Sequence, residues 1–234
     1  MRPIRLSGEA RRETILAAAK LCFARHGFAG TTTKSVAGAA GISEALLFKH
    51  FATKSALYAE ILEEACEADP DLQRLQARQP STETLVVLVT EMVGHFMGAI
   101  EQPDEEDFQR LKLLVSSHLE DGEFARLLYR KIGDIIGPIF SASLDRAVAV
   151  GDAAPYVGPG INLFWFAHQM IHMIALTQAP KVASLQYGDL DTLRQQVCEF
   201  VLRGLGLKER ALTTYLDHAS PRRRIATQLT SESA

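Results

Sequence analysis

Residues 31–57 read TTTKSVAGAAGISEALLFKHFATKSAL, and this stretch decides the architecture of the N-terminal part of the chain. Thr32 or Thr33 can cap a short helix whose inward positions are Val36, Ala37 and Ala40. Gly41 can take a positive φ without a Cβ penalty, which ends that helix and lets a second start at an angle to it. Ile42 packs in the corner. Ser43 caps the second helix, where Leu47 and Phe51 face inward and Glu44, Ala45, Lys49 and His50 remain outside. Two short helices joined by a tight turn, with basic residues on the outer face, describe a helix-turn-helix.

Outward from that motif the apolar periodicity stays helical. Ile15, Ala18, Ala19, Cys22 and Phe23 recur at steps of three and four, as do Leu85, Leu88, Val89, Met92, Val93 and Phe96. The pattern predicts helices over 9–26, 32–39, 43–50, 54–68, 81–101, 104–118, 122–150 with a kink near Gly137-Pro138, 160–178 and 189–205. No strand alternation is found, so the fold class is all-α. Segments 69–80 and 151–160 are connections. The expected organisation is a three-helix head over 9–62 with its motif at about 32–51, a helical body over 63–207, and a flexible tail over 208–234 where periodicity lapses.

Charge divides along the same line. Residues 1–58 hold 9 Lys and Arg against 3 acids, whereas the remainder holds 16 against 25. A basic head on an acidic body suits a polyanion partner. At 234 residues, 47% hydrophobic and 23% charged, the chain can bury a sizeable core. Its richest apolar run, Phe164 to Leu176, is interrupted by His168, Gln169 and His172 and falls short of the roughly 20 residues a spanning helix needs. With no secretory leader pattern and three scattered cysteines, the reading is cytoplasmic, without disulfide framework or membrane partner. Neither a phosphate-cradling glycine loop after a strand nor G-x-S-x-G occurs, so no enzymatic activity and no cofactor are expected.

The ordered series Ile15-Leu16-x-Ala18-Ala19, Phe23, Gly27-Phe28, Thr31-Thr32, Val36-Ala37, Ala40-Gly41-Ile42-Ser43, Leu47-Phe48-x-His50-Phe51, Lys54 and Leu57 resembles the TetR (tetracycline-repressor-like) transcriptional regulators over about residues 11–62. The resemblance implies DNA contacts from Thr33 and Lys34 in the first helix of the motif, from Ser43, Glu44, Ala45, Leu46, Phe48, Lys49 and His50 in the second, and from Lys54 after it. Lys34, Lys49, His50 and Lys54 suit phosphates, while Glu44, Ala45 and Leu46 stand where base edges are reached. Glu44 has a second reading as a partner of its own helix dipole, and Leu46 as core. Phe48 stands where the family often has a phosphate-binding tyrosine, which leaves packing as its role. Arg2, Arg5, Arg11 and Arg12 either reach DNA or belong to a solvated terminus.

For the body the resemblance implies a homodimer that reads a palindromic operator, with heads about 34 Å apart. Its last two helices, 160–178 and 189–205, would pair with their mates, and Leu193, Val197, Phe200 and Val201 supply the apolar stripe. A small apolar or aromatic effector would enter a cavity. Its candidate walls are Met92, His95, Phe96, Leu111 and Tyr129, with Phe164, Trp165, His168, His172 and Met173 from one helix; ordinary core is the competing reading for each. His168 and His172, four apart, resemble a metalloprotease helix, but Gln169 replaces the catalytic glutamate, and no metal is expected. The functional expectation is a DNA-binding regulator that represses until its effector releases it. The alternative is a helical protein-interaction adaptor that has lost DNA binding.

Overall fold

Ten helices run along the described residues of the computed structural model, which are 7–68, 70–101, 114–115, 117–119, 122–178, 185 and 187–219. They are α1 (Gly8–Gly30), α2 (Thr33–Ala39), α3 (Glu44–His50), α4 (Lys54–Ala68), α5 (Pro70–Gln76), α6 (Thr82–Glu101), α7 (Glu123–Ala149), α8 (Gly160–Thr177), α9 (Leu190–Gly204) and α10 (Glu209–Ala219). The all-α class holds: the described residues contain one isolated β-bridge, Ala153 to Leu207, and no strand.

Two expectations need correction. Residues 70–76, taken as connection, form α5, which Pro70 opens at a position where its missing N–H costs nothing. Residues 209–219, taken as tail, form α10; Ala211 and Leu212 are buried, and their N–H groups bond to the Lys208 carbonyl at 2.9 and 3.1 Å. Helix α7 runs through Gly137 and Pro138, close to the predicted 122–150, and loses a single ladder donor at Pro138. Most of the predicted helix 104–118 lies outside the described residues, as do Arg2, Arg5 and the tail beyond 219.

The chain divides into two compact units, one of residues 1–70 with 104–132, the other of 71–103 with 133–234. A single cut after 62 is thus replaced by a discontinuous division, because the chain returns to the first unit. In that unit α1 packs on α2 and α4, and α2 on α3. Ile15, Ala19 and Phe23 meet Val36, Leu47, Phe51, Leu57 and Tyr58 in its core. In the second unit α6 is the central element, with Leu85, Val86, Val89, Val93 and Met97 buried and α8, α9 and α10 packed on it. Gly137 permits a close approach of α8, since a Cβ there would lie 2.7 Å from Cδ1 of Ile161.

Candidate nucleic-acid interface

Each short helix of the motif is fixed at its ends by its own sequence. Thr32 caps α2 by accepting from the Ser35 N–H at 3.0 Å, and the Ser35 hydroxyl accepts from the Thr32 N–H at 3.1 Å, a reciprocal box. Ser43 caps α3 by accepting from the Leu46 N–H at 3.2 Å. Gly41 adopts φ 66°, a region that favours glycine, and the Ile42 N–H returns to the Ala37 carbonyl at 3.0 Å. A helix of seven residues is marginal alone, so these caps and the burial of Leu47 are what hold α3.

The outer face of α2 and α3 carries most of the expected contacts. Lys34, Ser43, Ala45 and Lys49 are exposed, and Thr33, Glu44, Leu46 and His50 are half-buried. Phe48 is 46% exposed, so its ring is not spent on packing. The Thr33 hydroxyl donates to the Glu44 carboxylate at 2.5 Å, which ties the second helix to the first and holds that carboxylate in one direction. Neither reading of Glu44 from the sequence included this bond.

Two cations work inside the head. Lys54 donates to the carbonyls of Phe28 at 3.0 Å and Thr31 at 3.1 Å, with its ammonium 4.0 Å from the Phe28 ring centre, and burial pushes its pKa down. It therefore secures the turn between α1 and α2 before any phosphate arrives. Arg12, read above as a DNA contact or a solvated residue, donates to the His50 carbonyl at 3.0 Å and to the Glu60 carboxylate, and stacks 4.3 Å from the Phe51 ring centre. It braces the C-terminal end of α3. Its partners lie 38 and 48 residues away, so no local spacing signals this.

In the second unit the structure gathers part of the expected effector wall. Phe96 lies edge-on to His168 at 5.2 Å and tilted to His172 at 5.5 Å; Trp165 meets His168 at 5.6 Å and Phe164 at 4.8 Å. His95 adjoins Phe96, and Met92 is half-buried on the same helix. Burial, and then the neighbouring His172 and His95, push the His168 pKa down to about 4. Tyr129 belongs to the first unit, where its hydroxyl meets Nε2 of His118 at 3.0 Å; Met173 points outward, and Leu111 lies outside the described residues. No three His, Cys, Asp or Glu side chains converge as metal ligands among the described residues.

The expected dimer stripe requires correction. Leu193, Val197 and Val201 are buried within the single chain, because their face of α9 packs on α6; Phe200 alone of the four is exposed, at 67%. Phe166, which sequence reasoning did not single out, and Met173, assigned above to the effector wall, are 68% and 56% exposed and seven apart on α8. Their spacing on one helical face was the available signal. No described helix is long and apolar enough to cross a membrane.

A capped recognition helix with a bare outer face, carried on an all-helical chain, defines a helix-turn-helix DNA-binding transcriptional regulator. Residues 15–61 match the family of bacterial regulatory proteins, tetR family. It is 26% identical over 140 residues to the HTH-type transcriptional repressor AcnR of Corynebacterium glutamicum, covering 60% of this chain and 67% of that protein. To AcnR of Corynebacterium efficiens it is 32% identical over 114 residues, covering 48% and 53%; the aligned stretches thus span between half and two thirds of these relatives. Its fold resembles that of Thermus thermophilus FadR, a TetR-family repressor solved with lauroyl-CoA, at a TM-score of 0.60, 22% identity and coverage of 85% and 96%.

Proposed function

We propose that this chain is a homodimeric repressor whose two heads grip a palindromic operator and whose body releases it on binding a small apolar or aromatic effector. The observation that carries this reading is the outer face of α2 and α3, where Lys34 and Lys49 stand exposed beside Ala45 and Phe48 on helices fixed by caps and by Arg12. Lys34, Lys49 and His50 contact phosphates; Glu44, Ala45 and Leu46 face base edges, with Thr33 orienting the Glu44 carboxylate to accept from a cytosine amino group. Lys54 supports the turn and offers its remaining donor to a phosphate. The Ser43 hydroxyl serves its helix first, as its cap.

Phe166 and Met173 on α8 and Phe200 on α9 form the dimer seam, since large apolar side chains left open on helices that pack on α6 need a cover. The effector sits against Phe96, Trp165, His168 and His172, and the acyl chain in the fold relative from Thermus supports an apolar ligand. Release follows from linkage: a ligand that binds one spacing of the heads better draws the population away from the spacing that spans successive major grooves. The reading contains no catalytic step and places the protein in the cytoplasm with the chromosome. Selection of binding sites from random DNA tests it. An inverted repeat should emerge, and Glu44→Ala should alter one base pair per half-site by roughly 1 to 3 kcal/mol. Absence of any enriched sequence would end the repressor reading.

A further inference from the structure

Helix α10, which the sequence pattern conceals, lines an open pocket of about 490 Å³ on the second unit. Thr82 at the start of α6, Arg146 near the end of α7, Val150 and Asp152 just beyond it, and Arg210 and Tyr215 on α10 are among its walls. That volume is within the range of small-molecule sites, roughly 300–1,000 Å³. None of these residues belongs to the group around Phe96 and His168.

The charges in the pocket are unequal. Asp152 is 8% exposed, and both its carboxylate oxygens are occupied, one by Nη2 of Arg210 at 2.8 Å and the other by the Thr82 hydroxyl at 2.8 Å. Burial alone would raise its pKa; the Thr82 and Arg210 hydrogen bonds and the charges of Arg210 and Lys208 outweigh that and lower it, so it stays ionised and satisfied. Arg210 spends one of its five N–H donors on Asp152, and its side chain is largely exposed. Arg146 is exposed and makes no ion pair among the described residues. Two guanidinium groups therefore face one carboxylate whose oxygens are already taken. Val150, Ala211 and Tyr215 add an apolar wall beside them.

We infer that this pocket binds a small organic anion, with its carboxylate or phosphate group on Arg146 and Arg210 and its carbon skeleton against Val150 and Tyr215. A planar guanidinium matches both headgroups through paired N–H donors, which an ammonium would not. The occupant bridges α7 and α10, adding a tie between the C-terminal helix and the body. The site stands apart from operator binding and from the effector wall, so either reading can fail without the other.

Calorimetric titration of the full chain at low salt tests the inference, with benzoate and phenyl phosphate as anionic probes and benzyl alcohol as the uncharged one. At least one anion should give saturable heat, benzyl alcohol none, and the stronger of the two anions identifies the headgroup. Arg146→Ala should weaken that binding roughly tenfold while leaving the urea unfolding curve unchanged. Arg210→Lys, which keeps a cation beside Asp152, should weaken it as well by removing the fork. Equal binding of benzyl alcohol, no saturable heat from either anion at millimolar concentration, or an affinity indifferent to Arg146→Ala would overturn the proposal.

Discussion

The two units reach stability by different routes. In the first, seven-residue helices are held by devices a few residues long: the Thr32–Ser35 box, the Ser43 cap and the turn at Gly41. In the second, helices of 11 to 20 residues are held by packing across the unit, with α6 meeting α8, α9 and α10. Caps each contribute about 1 kcal/mol, whereas a buried Leu or Ile contributes several. The head is thereby specified locally and the body by distant partners.

Core truncation gives the largest effect and asks whether the regions are separable in function. Leu47→Ala and Ile171→Ala, both fully buried, should each cost roughly 3 kcal/mol in urea unfolding. Only Leu47→Ala should also lower operator affinity when the folded fraction is held equal, because Leu47 alone seats the recognition helix. Equal loss of affinity from both would blur the distinction drawn here.

Acid should act on the body next. His168 has its pKa lowered from 6.5 to about 4 by burial and by His172 and His95, so its contribution is complete above pH 6.5. As pH falls from 6.5 towards 4 the unfolded chain takes up a proton that the folded chain refuses, and stability is lost through that window. Between pH 7.5 and pH 5 the loss from this group should be about 2 kcal/mol, and His168→Gln should remove that part of the slope. An unchanged pH profile in the variant would mean that His168 protonates without cost.

The smallest expected effect belongs to the turn. A Cβ on Gly41 would meet nothing within 4 Å, so Gly41→Ala costs backbone strain alone, about 1 kcal/mol. A variant as stable as the parent would show that the turn can relax to negative φ.

Legibility in the sequence follows the same division. Thr32, Gly41 and Ser43 announce themselves because cap and turn chemistry acts over three or four residues, and the helices they bound lie where the spacing puts them. Arg12 and the Thr33–Glu44 bond were not legible, since each joins elements whose approach only the folded core determines. In the body, apolar spacing on α9 picked out Leu193, Val197 and Val201 but assigned them to a second chain, whereas α6 of the same chain covers them. The exposure of Phe166 and Met173 was hidden for the converse reason, since both are embedded in a helix apolar on most sides and Met173 was assigned to the effector wall. Helix α10 escaped because its inward face is only a few residues long.

The salt dependence of operator binding tests the central claim most directly. Fluorescence anisotropy of the full chain on its selected site should give log affinity falling linearly with log salt, and Lys34→Ala and Lys49→Ala should each flatten the slope by about 1. Binding that ignores salt, or slopes unchanged in both variants, would contradict the assignment of the α2–α3 face to DNA.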